Sequence, residues 1–158
     1  MVVYGAIAGL FGLMGVIVWY ASLDNSELDQ VGIELVAVEV KDVNTVENFA
    51  KLEVTFLVKN PSDKTFTVPI IGYKLYADDQ LLGSGQYSTE DIAMPGRAMF
   101  SPSAEIPIKN TFILNKSEVN SAIYQAILNG SINSFTAEGI ITAETSWSLI
   151  EKEFKTST

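Results

Sequence analysis

Residues 51–59 read KLEVTFLVK, a stretch in which apolar side chains recur at every second position. An extended chain would bring the apolar ones onto one face, formed by Leu52, Val54, Phe56 and Val58. Because successive side chains of a strand point to opposite faces, this alternation predicts a β-strand with one face buried and the other mostly in water. It is the clearest strand signal in the chain, and the remaining elements can be placed around it.

Further strand signals flank this segment on both sides. Runs rich in β-branched and aromatic residues, separated by turn-forming residues, cover 33–43, 66–77, 80–92, 97–108, 135–142 and 146–154. Tight turns are expected at Asp78-Asp79-Gln80 and at Met94-Pro95-Gly96. Seven short strands with regular turns predict a mainly β chain, an antiparallel β-sandwich of the immunoglobulin or fibronectin type.

One helix is expected to interrupt the strands, between Lys116 and Asn129. Its apolar stripe would be Val119, Ala122, Ile123, Ala126 and Ile127, which recur with helical spacing. Asn115 is the expected N-cap, with Glu118 completing a capping box, and Gly130 is expected to end the helix. Such an amphipathic helix can pack against the sandwich.

The N-terminal residues 1–23 contain no charged side chain and are mostly apolar. As a helix they would be roughly 35 Å long, enough to cross a hydrocarbon layer of about 30 Å. Tyr4 near one end and Trp19 and Tyr20 near the other are expected as interface anchors. A cleaved signal peptide is the alternative, but it would need a basic leader and a small-residue cleavage site. We therefore predict a retained signal-anchor helix.

Small residues recur along this N-terminal segment, at Gly5, Ala8, Gly9, Gly12 and Gly15. Pairs of small residues four apart let a second membrane helix approach closely. The partner would be a second copy or another membrane subunit. Glycine is also common in membrane helices that have no partner, and this alternative stays open.

The sequence divides into the anchor, a short acidic linker over 24–30, a sandwich domain over 31–155 and a frayed tail over 156–158. Because the linker is short, the domain should lie close to the bilayer surface. We expect a single-pass protein of the cell membrane with its soluble domain outside the cytoplasm. Asn115-Lys116-Ser117 and Asn129-Gly130-Ser131 fit the N-glycosylation pattern, which suits that side.

Composition argues against most enzymes and against nucleic-acid binding. The net charge is −9, whereas nucleic-acid binders must neutralise phosphates. The chain has no Cys and no His, which removes thiol chemistry and the most common general base and metal ligand. Acidic pairs such as Asp78-Asp79 and Glu151/Glu153 are better explained as a turn and as an exposed strand face. We expect no catalytic residues, no cofactor and no resident metal.

Several short motifs follow one another along residues 33–154, and their order is more specific than any single one. They are Asn60-Pro61, Pro69, Tyr73-Lys74-Leu75, Leu82-Gly83-Ser84-Gly85, Ile92-Ala93-Met94-Pro95-Gly96, Ala104-Glu105-Ile106-Pro107-Ile108 and Phe135-Thr136-Ala137-Glu138-Gly139-Ile140-Ile141. In this order they resemble the water-stress and hypersensitive-response (WHy) domain of the late embryogenesis abundant group 2 family. The resemblance implies a sandwich of about seven strands plus a helix, no known catalytic residues, and an association with desiccation and other stress.

These motif residues also have plain structural explanations. Asn60-Pro61 should end a strand, because proline donates no ladder hydrogen bond. Gly83 and Gly85 are expected at a bend or bulge, and Gly139 at a close approach of two backbones. The motifs therefore describe a fold and no reaction centre.

Three functions remain compatible with the sequence. The first is a membrane-anchored protein that protects client proteins or lipids during water loss. The second is an accessory subunit of a membrane complex, joined through the glycine-bearing helix. The third is a carrier that holds a lipid or another apolar ligand between its two sheets.

Overall fold

The computed structural model describes residues 2–89 and 98–158. A long helix is followed by six strands, a short helix and two further strands. Their bounds are α1 Val2–Leu28, β1 Gly32–Asn44, β2 Phe49–Lys59, β3 Phe66–Ala77, β4 Gln80–Ser88, β5 Met99–Phe100, β6 Glu105–Asn115, α2 Ser121–Leu128, β7 Phe135–Glu144 and β8 Leu149–Ser157.

The strands form two sheets that enclose one apolar core. Sheet A has the order β1-β2-β6, and sheet B has the order β4-β3-β7-β8 with the short β5 paired to β3. Every pairing is antiparallel. The expected antiparallel architecture, with a long apolar helix before it, is confirmed, although the described strands number eight where seven were expected.

The alternation in β2 produces the centre of the core. Leu52, Val54, Phe56 and Val58 are all fully buried, as the sequence pattern predicts. The Phe56 ring lies edge-on to Tyr73 of sheet B, with 4.9 Å between centroids, and to Phe154, with 5.9 Å. Edge-to-face aromatic contacts of this kind add to the stabilisation from apolar burial, so these rings tie the two sheets together.

Three strand predictions were wrong in their bounds. The strand expected over 80–92 ends at Ser88, and a turn follows at residue 89. The segment 97–108 is divided, because residues 101–104 form a loop between β5 and β6 with Ser103 at a positive φ of 61°. The Asn60 backbone pairs with this loop, since Asn60 N–H donates to Ala104 O and Ser103 N–H donates to Asn60 O. The final strand lies three residues later than expected and runs to Ser157.

The predicted N-cap of the second helix was also wrong. Asn115 is the last residue of β6 and pairs with Phe49, so its backbone belongs to the sheet and does not begin the helix. The actual cap is Asn120, whose Oδ1 accepts a hydrogen bond from Ala122 N–H at 2.8 Å. The buried face of α2 is formed by Tyr124 and Ile127, whereas Ala122 of the expected stripe is exposed.

The predicted end of this helix is confirmed. Gly130 has a φ of +66°, and its N–H donates to Ile127 O while Ser131 N–H donates to Ala126 O. This pair of bonds is the Schellman arrangement, in which a glycine in the left-handed region satisfies the last free carbonyls of a helix.

The linker and the tail are both more ordered than expected. Residues 24–28 continue α1, which leaves the three residues 29–31, with a turn at 29–30, as the connector. Thr156 and Ser157 pair with Ala137 and Thr136 of β7. The Thr158 N–H donates to Phe135 O, so the last residues are held in sheet B and are not frayed.

The two ends of the sandwich are named from the position of α1. The near end contains the start of β1, the loop after β2, the start of β3 and the β7–β8 hairpin, residues 145–148. The far end contains the β1–β2 turn, the β3–β4 turn at Asp78-Asp79, α2 and the C-terminus.

Candidate functional site

The apolar helix α1 projects from the sandwich without being covered by it. Within Val3–Tyr20, a window with a mean hydropathy of 1.8, no residue is buried. Soluble proteins rarely expose contiguous apolar patches larger than a few hundred Å², and a helix that is apolar on all sides is typical of a buried or membrane-spanning element. The helix is long and apolar enough to span a membrane.

The small residues of α1 lie on one open face. At 3.6 residues per turn, Gly5, Ala8, Gly9, Gly12 and Gly15 fall within an arc of about 120°. A Cβ atom built on any of the four glycines would meet no other atom within 4 Å. This face could therefore receive a second helix, and the association stays a prediction.

The predicted interface anchors lie toward opposite ends of α1. Tyr4 stands near its start, and Trp19 and Tyr20 lie nine and eight residues before its last residue, Leu28. All three side chains are exposed. This spacing is compatible with aromatic rings in both interfacial layers of a bilayer.

The joint between α1 and the sandwich is fixed by buried residues and hydrogen bonds. Leu28 and Val31 are almost completely buried. The Lys152 ammonium group donates to Asp29 O at 2.6 Å and to Val31 O at 3.0 Å, which ties the connector to β8. These contacts hold the near end of the sandwich against the last turn of α1.

The motif residue Asn60 organises the near end with its side chain. Its Nδ2 donates to the carbonyl oxygens of Lys64, Phe100 and Ser101, at 2.7, 2.8 and 3.0 Å. Its Oδ1 accepts from both the backbone N–H and the hydroxyl of Ser62. β2 ends at Lys59, immediately before Asn60-Pro61, as predicted. The sequence indicated the strand end, but the pattern gave no signal for this buried amide.

Two motif glycines occupy positions that larger residues could not take. A Cβ at Gly139 would lie 2.0 Å from Gly72 O, so β3 and β7 approach each other closely there, as predicted. A Cβ at Gly85 would overlap the ring of Tyr73 at 2.5 Å. Gly139 allows the two strands to pack at this distance, and Gly85 leaves room for the Tyr73 ring.

The bulge predicted in β4 is confirmed beside Gly83, whereas Gly85 pairs regularly with Tyr73. The register shifts between Leu75 and Tyr76 of β3, opposite Leu82, and the neighbouring Gly83 has a φ of +148°. Glycine adopts this conformation without the steric cost that a side chain would bring. The motif residues Pro95 and Gly96 lie outside the described residues.

Tyr73 has a buried hydroxyl with one specific partner. Asn110 Nδ2 of β6 donates to the Tyr73 hydroxyl oxygen at 2.8 Å and to Gln86 O at 3.1 Å. Burial raises the pKa of Tyr73 to about 12, because the charged phenolate would lose its hydration. The bond joins the two sheets, and burial keeps this tyrosine neutral at physiological pH.

The outer face of sheet B carries a shallow open groove of about 750 Å³. Gly72 lies in it without a side chain, and Lys74, Glu138 and Lys155 surround it. The Tyr76 hydroxyl donates to Glu138, and Lys155 Nζ lies 3.4 Å from the same carboxylate. The hydrogen bond from Tyr76 is the main cause of the lowered pKa of Glu138, and Lys155 lowers this pKa further. The carboxylate therefore stays charged and paired.

A smaller apolar cavity of about 230 Å³ lies beneath the loop after α2. Its wall includes Val38, Leu52, Ile127 and Phe135. Ligand-binding pockets commonly measure about 300–1,000 Å³, so this cavity is small for an acyl chain or another apolar ligand.

Of the acidic pairs named in the sequence, Asp78-Asp79 forms a turn, and Glu151 and Glu153 are exposed on β8. Asp78 and Asp79 both have positive φ, and the Asp78 carboxylate accepts hydrogen bonds from the N–H groups of Asn133 and Ser134. Glu53 is bonded to Lys109 and Lys41, and the Lys109 bond is the main cause of its lowered pKa. Among the described residues, no three Asp or Glu side chains are grouped as a metal site would require.

The two glycosylation candidates differ in their surroundings. Asn129 is exposed at the C-cap of α2, whereas Asn115 is half-buried at the end of β6. Modification of either residue stays a prediction.

Comparisons with known proteins show the fold and no family. No protein-family model matches the chain, and no curated protein matches it. A solution structure from Arabidopsis thaliana superposes with a TM-score of 0.54 at 13% identity, covering 80% of this chain and 79% of that one. A Bordetella pertussis protein proposed to be ApaA gives 0.50 at 6% identity, covering 81% and 91%.

A third comparison, with the solution structure of a protein proposed to be late embryogenesis abundant, covers 91% of this chain and 88% of that one, at 14% identity. Its TM-score of 0.45 is too low to support an argument. At these identities the two closer superpositions establish the sandwich architecture alone, and the resemblance to the WHy domain continues to rest on the sequence motifs.

Proposed function

We propose that the protein is a single-pass membrane protein that holds a non-catalytic β-sandwich at the membrane surface, where it protects membrane lipids and neighbouring proteins during water loss. The observation that carries this proposal is the uncovered apolar helix α1, joined to the first strand by only three residues, 29–31. Such a connection would keep the domain close to the bilayer.

The surface of the domain supports a binding role better than a catalytic one. The carboxylates of Glu53 and Glu138 are engaged by lysine or tyrosine side chains. The smaller cavity is below the usual size of a ligand pocket, which makes a lipid carrier the weakest of the three functions. A net charge of −9 gives the protein a well-hydrated surface, as a protectant requires.

Two measurements test the anchoring and the protection separately. The full chain should stay with native membranes after an alkaline carbonate wash, because only an inserted helix resists it. Vesicles that contain the full chain should retain a trapped dye and the activity of an added enzyme after drying and rehydration.

A variant with Gly139 replaced by alanine supplies the matched control. It keeps the anchor and the charge, but the added Cβ would force β3 and β7 apart, so vesicles that carry it should lose dye and enzyme activity. Equal losses with the native chain, the variant and empty vesicles would refute the protective role.

A second candidate is an accessory subunit of a membrane complex, and the open glycine face of α1 favours it. Replacing Gly9 and Gly12 together by leucine would block close helix contact. If the protein is a subunit, a defined set of membrane proteins should co-purify with the native chain in mild detergent and be lost with this variant. Recovery of the native chain alone would exclude this function.

A domain outside the cytoplasm remains our proposal for the topology. In intact cells, an externally added protease should then digest the sandwich while α1 stays protected. Digestion only after the membrane has been opened would reverse the assignment.

A further inference from the structure

The β7–β8 hairpin at the near end exposes a tryptophan. Trp147 is 75% exposed, and the turn that carries it is fixed by hydrogen bonds. The N–H groups of Trp147 and Ser148 donate to Thr145 Oγ1, and Thr145 N–H donates to Ser148 O at 2.8 Å. The indole is therefore presented to the solvent by an ordered turn.

Two further exposed apolar side chains lie in the same edge of sheet B. Met99 pairs with Thr67, Thr67 with Glu144, and Glu144 with Leu149, so these residues form one row across β5, β3, β7 and β8. Residues in register across a sheet point to the same face. Met99 and Leu149 are 64% and 58% exposed. We name Met99, Trp147 and Leu149 the near-end ridge.

The ridge faces the direction from which α1 arrives. Lys152 of β8 contacts Asp29 and Val31, and further along the same strand the Thr156 hydroxyl accepts a hydrogen bond from Leu35 N–H. β1 and β8 therefore run side by side in the same direction away from α1. Moving backward along β8, from Lys152 toward Trp147, leads toward the anchor.

The lengths of the first part of β8 and of the last turns of α1 place the ridge at about the same height along α1 as Trp19 and Tyr20. Three strand steps from Lys152 to Leu149 cover about 10 Å at 3.3 Å each, and the turn that carries Trp147 lies beyond Leu149. Nine helical residues from Leu28 back to Trp19 span about 14 Å at 1.5 Å each. The two lengths are of the same order, so Trp147 can reach the interfacial layer that Trp19 and Tyr20 would occupy.

We propose that the near-end ridge inserts into the interfacial layer of the same membrane that α1 crosses, with Trp147 as its anchor. This inference rests on the membrane anchoring proposed above. Tryptophan is favoured at this depth because its ring is largely apolar while its N–H can bond to water or headgroups. Glu27 and Asp29 lie at the same end, so the attraction is apolar and requires no anionic lipid.

Fluorescence of single-tryptophan variants tests the insertion, since Trp19 and Trp147 are the two tryptophans of the chain. The full chain is reconstituted in phosphatidylcholine vesicles, with and without lipids brominated near the headgroup. In the Trp19→Phe variant, Trp147 should lose most of its emission to the brominated lipid. In the Trp147→Phe variant, Trp19 reports whether α1 is inserted.

A far-end tryptophan supplies the matched control. Val46 lies in the β1–β2 turn and is 88% exposed. With both native tryptophans replaced by phenylalanine, a tryptophan introduced as Val46→Trp should keep its full emission in brominated vesicles. Quenching at this site as strong as at Trp147 would show that the domain has no preferred end and would overturn the inference.

The remaining outcomes separate the two proposals. Quenching of Trp19 without quenching of Trp147 overturns the docking of the ridge and leaves the anchoring intact. A blue-shifted but unquenched Trp147 would mean that a second copy covers the ridge, which also overturns membrane docking. Absence of quenching at both native tryptophans refutes the anchoring itself, and the docking fails with it.

Discussion

The near end and the far end of the sandwich are closed by different kinds of interaction. At the near end, the buried amide of Asn60 bonds to three carbonyl groups, and Leu28 and Val31 fill the space beside α1. At the far end, exposed turns are held by the carboxylate of Asp78 and by Asn44 Oδ1. Water can replace most of the far-end bonds, whereas the near-end bonds of Asn60 to Phe100 O and Ser62 N–H are buried. The near end, which faces the anchor, is therefore expected to be the more rigid of the two.

Strand β7 runs from the far end to the near end, so its close contact with β3 should affect both. We expect Gly139→Ala to destabilise the sandwich by about 4 kcal/mol or to prevent folding, because a Cβ at 2.0 Å from a backbone oxygen forces the strands apart. Urea unfolding of the full chain in mild detergent, followed by Trp147 emission on a Trp19→Phe background, measures the change.

The matched control lies on the neighbouring strand. A Cβ at Gly72 meets no atom within 4 Å, so Gly72→Ala should change the free energy of unfolding by no more than about 0.5 kcal/mol. Equal effects of the two substitutions would contradict the close approach at Gly139.

The near end should be sensitive to loss of the Asn60 side chain. Asn60→Ala leaves one buried and two partly buried carbonyl groups and one buried N–H without their partner, and we expect a loss of about 3 kcal/mol in the same unfolding assay. Asp63→Ala changes an exposed residue of the same loop and should have little effect. An Asn60→Ala variant as stable as the native chain would show that water replaces the amide.

Between the two ends, Tyr73 should make stability depend on alkaline pH. Its pKa is raised from 10.0 to about 12 by burial, so the folded state binds a proton that the unfolded state releases above pH 10. Stability is then complete below pH 10 and falls by about 2 kcal/mol as the pH rises to 12. Unfolding curves across this range should show a smaller loss for Tyr73→Phe, and the same slope in both proteins would refute this assignment.

The far end should tolerate substitution best. Asp78→Ala removes a half-buried acceptor for Asn133 and Ser134 and leaves alanine at a φ of +44°, so we expect a loss of about 1 kcal/mol. Asp78→Asn keeps one acceptor oxygen and the tolerance for positive φ, and it should recover most of this loss. A loss as large as that of Asn60→Ala would remove the distinction between the two ends.

Local patterns were enough to predict much of the fold. The alternation in β2, the strand end at Asn60-Pro61, the bulge beside Gly83, the close approach at Gly139 and the helix end at Gly130 all follow from rules that act within a few residues. The position of the helix cap could not be predicted from such local rules, because Asn115 and Asn120 are both good N-caps. Pairing of β6 with β2 as far as Phe49 decides between them.

The sequence patterns also missed features that depend on contacts between distant parts of the chain. The C-terminal residues look polar and free in sequence, yet Thr156 and Ser157 complete the ladder with β7. The Asn60 amide and the bond from Asn110 to Tyr73 depend on loops and strands far apart in sequence. No sequence pattern pointed to Trp147. It became a candidate for membrane contact only when the structure placed β8 beside α1.

The central claim is that a fixed joint holds the near end of the sandwich at the end of α1. Because the chain has no Cys, spin labels at Ser22→Cys on α1 and Lys155→Cys on β8 report one distance without further changes. In lipid nanodiscs, pulsed electron resonance should give a single narrow distance distribution, and Lys152→Ala should broaden it by removing the bonds to Asp29 and Val31. A broad distribution in the chain that retains Lys152 would mean a free tether and would contradict the claim.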